Sequence, residues 1–132
     1  MEQKTYALGQ RYIGAGQSEG TILLNEVPGN ALGAYLDGAN IIVNCSAQDA
    51  TGDTMNAGEI TIHGSTGDAA GYAMRGGAIY VQGDAGYRAG IHMKEYKEKV
   101  PVLVIGGRTG SFLGEYQAGG IIVVLGIGSE DR

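Results

Sequence analysis

The sequence predicts an all-β fold, a single-stranded parallel β-helix of about six coils of ~19 residues. Three observations carry that expectation. Glycine recurs every 19 residues at Gly14, Gly33, Gly52, Gly71 and Gly90. A second column, Leu36, Met55, Met74 and Met93, keeps the same step. A third runs Ile22, Ile41, Ile60 and Ile79, and resumes after an insertion at Val102 and Ile121. A fixed period near 20 marks a solenoid, in which each repeat is one unit stacked on the last. Parallel crossovers favour the right hand, so a right-handed coil is expected.

The elements follow in chain order. Residues 1–13 read as an irregular lead-in, and residues 14–126 as the repeats of one domain spanning 1–132. The strands are the triplets Ile22-Leu23-Leu24, Ile41-Ile42-Val43, Ile60-Thr61-Ile62, Ile79-Tyr80-Val81, Val102-Leu103-Val104 and Ile121-Ile122-Val123. Their first and third members are always aliphatic, so period-two alternation turns those two inward and the middle one outward. β-branched residues dominate, as strands favour. No repeat holds a helical pattern of any length, which argues against a βαβ fold. Leu36, Met55, Met74 and Met93 should form an interior ladder on another wall. The G-x-x-x-G pairs Gly29/Gly33, Gly67/Gly71, Gly86/Gly90 and Gly110/Gly114 suit corners with positive φ or walls too close for a side chain. Gly14, Gly33, Gly52, Gly71, Gly90 and Gly114 are the structural glycines. Residues 94–101, with five charged side chains, read as an inserted loop about four residues beyond the repeat. The last coil is apolar on both faces, and Ser129 to Arg132 is too short to cap it.

Composition narrows the function classes. The formal charge is −5 and the nine Lys/Arg are scattered, which argues against a nucleic-acid partner. The longest stretch without charged or strongly polar residues, Ala118 to Gly128, is 11 residues and too short to span a bilayer. Nothing before Gly9 resembles a signal peptide, so a soluble cytoplasmic chain without a membrane partner is expected. The single cysteine, Cys45, rules out an intramolecular disulfide and a multi-thiolate iron–sulfur cluster built by this chain alone.

Little in the sequence points to chemistry. Cys45 has no base beside it in sequence and reads as a small buried filler. His63 and His92 fall in different columns and read as surface or supporting groups. Asp49 and Asp68 are one period apart and should stack. A stacked pair can hold a cation, but the calcium-solenoid pattern is absent and solvated corners are the plainer reading. Asn44, His63 and Gln82 share an outer column and should form a polar ladder. The glycine stretches Gly14–Gly20 and Gly83–Gly86 match no phosphate-loop motif, and the repeat accounts for them. No catalytic, cofactor-binding or metal-binding residue is assigned.

The runs from Gly67-Asp68-Ala69-Ala70-Gly71 to Gly76-Gly77-Ala78-Ile79-Tyr80-Val81-Gln82-Gly83, and from Gly110-Ser111-Phe112-Leu113-Gly114 to Gly119-Gly120-Ile121-Ile122-Val123-Val124-Leu125-Gly126, resemble a known repeat. It is the GXGXG repeat domain at the C-terminus of the glutamate synthase large subunit, and it is similar to a repeat found in formylmethanofuran dehydrogenase. The resemblance covers roughly residues 20–126. It implies a right-handed β-helix that packs between an amidotransferase component and a flavin/iron–sulfur synthase component, carrying no catalytic residue itself. FMN and the iron–sulfur cluster would reside in those partner chains. The implied function is a scaffold subunit of a glutamate synthase-like oxidoreductase in nitrogen metabolism. The alternatives are a scaffold of a formylmethanofuran dehydrogenase-like or methylated-amine-handling complex, a self-associating solenoid joined through its C-terminal coil, and an independent enzyme. By the alternation, Ile42, Tyr80, Leu103, Ile122 and Val124 point outward and are the candidate partner interface, and the C-terminal coil, Gly119 to Leu125, is the second candidate.

Overall fold

The computed structural model describes residues 2–4, by their backbone alone, and residues 8–127. They form β1 (Glu2–Lys4), β2 (Thr21–Leu24), β3 (Asp37–Val43), β4 (Ala57–Ile62), β5 (Ala78–Val81), β6 (Val102–Ile105) and β7 (Ile121–Val124). All seven lie in one sheet in sequence order, and every neighbouring pair is parallel. Each return path from one strand to the next is a turn-rich wall, so the chain is a β-solenoid with five full turns between β2 and β7. The described residues contain no helix, and therefore none long and apolar enough to cross a membrane. The polar tail expected at Ser129–Arg132 lies outside the described residues. The lead-in is more regular than expected. Glu2–Lys4 pairs with β2, and the Gly9 and Tyr12 N–H groups donate to Val27 and Asn30 of the next coil.

The core is made of stacked columns. Ile22, Ile41, Ile60, Ile79 and Leu103 form one, and Leu24, Val43, Ile62, Val81 and Ile105 a second, all buried. On the facing wall Leu36, Met55, Met74 and Met93 are wholly buried, forming the expected ladder. Each such side chain contributes about 1.5–3 kcal/mol by leaving water.

The insertion shifts the strand phase, which corrects the sequence reading. Ile79 pairs with Leu103, not Val102, so that coil spans 24 residues and exceeds the period by five rather than four. Leu103 is therefore an inward core residue with no exposed surface. Ile122 follows it inward, packed against the core, and Val124 pairs with the inward Ile105. Val102 and Val104 take the outward positions instead. A slip of one residue exchanges the two faces of a strand.

The turn wall has a backbone rule of its own. Each complete coil places three residues in the left-handed region at alternate positions, as at Ala31, Gly33 and Tyr35 with φ of 62°, 68° and 58°. The Ala31 and Tyr35 N–H groups donate up to Asp49 and Asp53 oxygens, at 2.9 and 2.8 Å. The Gly33 N–H donates down to Ile13 O at 2.8 Å. The N–H groups of the left-handed residues thus reach carbonyls of the coils above and below, while those of Ala34 and Leu36 donate within the coil to Ala31 O and Gly33 O. The middle position is glycine in all six coils, whereas the flanks hold Tyr, Ala, Thr, Arg, His and Phe and one glycine, Gly16. Positive φ alone is thus not what demands glycine. A Cβ at Gly33 would point inward and come within 2.6 Å of Ile60 Cδ1.

Candidate interaction surfaces

Side chains outside the core do two kinds of work, and one kind is internal to the stack. Asn30 Oδ1 accepts from Asp49 N, Asp49 Oδ1 from Asp68 N, and Asp68 Oδ1 from Tyr87 N, at 3.1, 2.7 and 2.9 Å. A parallel row runs from Ser46 Oγ to Ser65 N, Ser65 Oγ to Asp84 N and Asp84 Oδ1 to Arg108 N, each accepting at 2.8–2.9 Å. Glycines make room for these rungs. A Cβ at Gly67 would collide with Asp49 Oδ1, and one at Gly86 with Asp68 Oδ1. Asp49 and Asp68 do stack one period apart, but they are not simply solvated corners. Each carboxylate satisfies a backbone donor of the coil above it. Among the described residues no group of three or more His, Cys, Asp and Glu could hold a metal.

The other candidates resolve as follows. Cys45 is half-buried rather than a buried filler, and burial pushes its thiol pKa up, with the Glu26 carboxylate adding to the shift. On the outer polar column Asn44 Nδ2 donates to Asn25 Oδ1 at 2.7 Å, and His63 Nδ1 lies 3.2 Å from Gln82 Oε1. His92 joins an aromatic stack on the turn wall, 5.0 Å from the Tyr116 ring at 14° and edge-on to Tyr72 at 5.8 Å. Beside it Arg88 lies 4.8 Å over the Phe112 ring and 3.6 Å from Glu115. Arg88, His92, Phe112 and Tyr116 all occupy the left-handed flanking positions of the turn wall, where side chains stand exposed.

The outer face of the strand wall changes character along the stack. Its central column is Leu23, Ile42, Thr61, Tyr80, Val104 and Val123. The column on one side runs Asn40, Glu59, Ala78, Val102 and Ile121, from polar to aliphatic. On the other side the polar column ends at Gln82, and the next coils place Gly106 and Leu125 there. Three adjacent columns are thus apolar together over the last two coils. A concavity of about 300 Å³, lined in part by Gly106, opens among Tyr80, Val104, Leu125 and Ile127, with His63 and Gln82 on its polar lip. Of the five residues expected at the interface, Ile42 is half-buried on this face and Tyr80 is exposed on it. Leu103 and Ile122 point inward, and Val124 is exposed although it faces inward. The apolar positions of this face that sequence reasoning missed are Val102 and Val104, whereas Ile121, Val123 and Leu125 belong to the last coil, its second candidate contact.

Comparison with known proteins gives two matches. The family model described as GXGXG motif matches residues 3–131. The chain is also 59% identical over 122 residues to the uncharacterized protein MJ1350 of Methanocaldococcus jannaschii, covering 91% of this chain and 47% of that protein. The chain therefore spans about half the length of that relative. No solved structure matches it.

Proposed function

The chain belongs to the GXGXG motif family, and from that premise we propose that it is a non-catalytic scaffold of a glutamate synthase-like, multi-chain oxidoreductase. It packs between a glutamine amidotransferase component and a flavin/iron–sulfur synthase component in the cytoplasm, and the FMN and the cluster belong to those partners. The observation that carries this reading is the outer strand wall. Along it Tyr80, Val102, Val104, Ile121, Val123 and Leu125 line up as one apolar patch on a rigid sheet. Patches of this kind, with a polar rim, mark protein–protein contacts. The strands of the wall are hydrogen-bonded coil to coil as far as β7, so the patch is presented at a low ordering cost.

The test is co-purification of the tagged chain from its native cytoplasm, with mass spectrometry of what accompanies it. The wild-type chain brings down an amidotransferase and a flavin/iron–sulfur synthase. The double variant Tyr80→Asp, Val104→Asp loses both while keeping its far-UV circular dichroism and melting temperature. Recovery of a different redox set, or undiminished capture by the folded double variant, overturns the reading.

A further inference from the structure

The concavity on the outer strand wall has a polarity that the register sets. It crosses four coils, which at about 4.8 Å between strands is about 14 Å along the solenoid axis. Thr61 and His63 line it in the first of these coils, Tyr80 and Gln82 in the second, Val104 in the third, and Leu125 and Ile127 in the fourth. One end is thus polar and the other aliphatic, with Tyr80 between them. None of the described residues that line it is a Lys, Arg, Asp or Glu, so nothing there answers the charge of a phosphate, a carboxylate or an amine. A volume of about 300 Å³ stands at the lower bound for small-molecule sites, which suits one side chain better than a nucleotide or a flavin.

The polar end constrains the occupant. His63 Nδ1 lies 3.2 Å from Gln82 Oε1. An amide oxygen only accepts, so the hydrogen sits on Nδ1 and the neutral ring keeps Nε2 as an acceptor. Pairing through Oε1 leaves the Gln82 Nε2 hydrogens as donors, and among the described residues neither side chain has a second partner. The rim therefore offers a donor and an acceptor on neighbouring residues, and a hydroxyl answers both with one atom. The other end offers apolar surface, with Val104 half-buried and Leu125 and Ile127 56% and 69% exposed. Tyrosine joins an apolar ring to a hydroxyl at its tip, and aromatic side chains seated in pockets anchor protein interfaces.

We propose that this concavity is the socket for one tyrosine side chain of the partner that docks on the strand wall. The ring lies against Tyr80, Val104 and Leu125, and the hydroxyl sits at the His63–Gln82 rim. The socket rests on the scaffold reading, since the partner on this wall is what supplies the tyrosine. It puts the anchor of the contact at the boundary where the outer face passes from polar to apolar, so that ring and hydroxyl each meet a matching surface.

The ¹³C-methyl signals of Val104, Leu125 and Ile127 in the labelled full chain provide the test, read while N-acetyltyrosinamide is titrated in. They should move saturably, with a dissociation constant on the order of 1–10 mM, while those of the buried Leu32 and Leu36 stay in place. N-acetylphenylalaninamide, which lacks the hydroxyl, should bind at least about threefold more weakly, and Gln82→Ala should erase that difference. Val104→Phe, which fills the socket from a half-buried outward position, should abolish binding, and Leu125→Ala should weaken it about threefold or more. Circular dichroism verifies the fold of each variant. A drift that never saturates overturns the socket. So does equal binding of the two compounds to the wild-type chain, or binding undiminished in the folded Val104→Phe and Leu125→Ala variants. Because the chain is titrated alone, this outcome is separate from co-purification. Capture of both redox components without probe binding removes the socket only, and probe binding by a chain that captures neither component keeps the socket and removes the scaffold reading.

Discussion

Leu103 and Val104 are adjacent, both aliphatic, and assigned by the strand register to opposite faces of the wall. Truncating each to alanine therefore tests the register directly. Leu103 is wholly buried in the column that continues Ile79. Leu103→Ala removes three carbon atoms, which at about 0.8 kcal/mol per buried methylene is roughly 2.4 kcal/mol. The residual cavity adds to this, so about 3–4 kcal/mol is expected. Val104 is half-buried on the outer face, and losing its two methyl groups should cost under about 1 kcal/mol. Urea unfolding followed by far-UV circular dichroism measures both. With a slope of about 1–3 kcal/mol/M, the Leu103→Ala midpoint should fall by roughly 1–4 M and the Val104→Ala midpoint by less than about 1 M. Each coil touches only its neighbours, so tyrosine fluorescence should be followed in parallel to detect fraying of the last coils alone. A Val104→Ala loss equal to or larger than that of Leu103→Ala would refute the 24-residue coil and restore the unshifted phase.

Two further outcomes follow from the turn wall and the thiol. Gly33→Ala should destabilise by about 2 kcal/mol or more, since its Cβ meets Ile60 Cδ1 inside a packed core. Tyr35→Gly, at nearly the same φ, should stay within about 1 kcal/mol, because relief of left-handed strain offsets the added freedom of the unfolded chain; equal losses in the two variants would show that φ, not the inward clash, selects glycine. Cys45 has its pKa raised by burial first and Glu26 second, so its thiolate fraction at neutral pH is below that of a free thiol. Iodoacetamide alkylation should accordingly rise with pH through a higher midpoint than glutathione shows, and Glu26→Gln should lower that midpoint by the smaller share; a midpoint at or below that of glutathione contradicts the burial argument.

Much of the architecture was legible because the chain repeats itself. Ile22 to Ile79 and Leu36 to Met93 keep one step, and each column proved to be a wall of the core. The phase after the insertion was harder to read because the alternation carries no information there. Val102-Leu103-Val104-Ile105 and Ile121-Ile122-Val123-Val124 are aliphatic at every position, so either face could be the inner one. The missing signal lay in the glycines. Gly86/Gly90 and Gly110/Gly114 are the same pair 24 residues apart, and that step alone fixes Leu103 opposite Ile79. The outer patch depended on that phase and was therefore legible only in part, through Tyr80 and the last coil.

The left-handed Ala, Tyr, Arg, His and Phe residues were beyond sequence reasoning for a different reason. Local preference argues against each of them by about 1–2 kcal/mol. What holds them is non-local, since the N–H of each flank from Tyr12 to His92 donates to a carbonyl a full coil away. A lone turn of this sequence would have no cause to adopt that backbone, but a turn laid on its neighbour would lose two hydrogen bonds by refusing it. The same dependence explains why the rungs at Asp49, Asp68 and Asp84 all accept from the coil above. The repeat encodes a pairing edge more than it encodes a turn, so each coil serves as the template for the next. A chain built this way gains rigidity with every coil added, and the places free to vary are the outward side chains and the insertion. It is there that the apolar strand wall departs from the repeat.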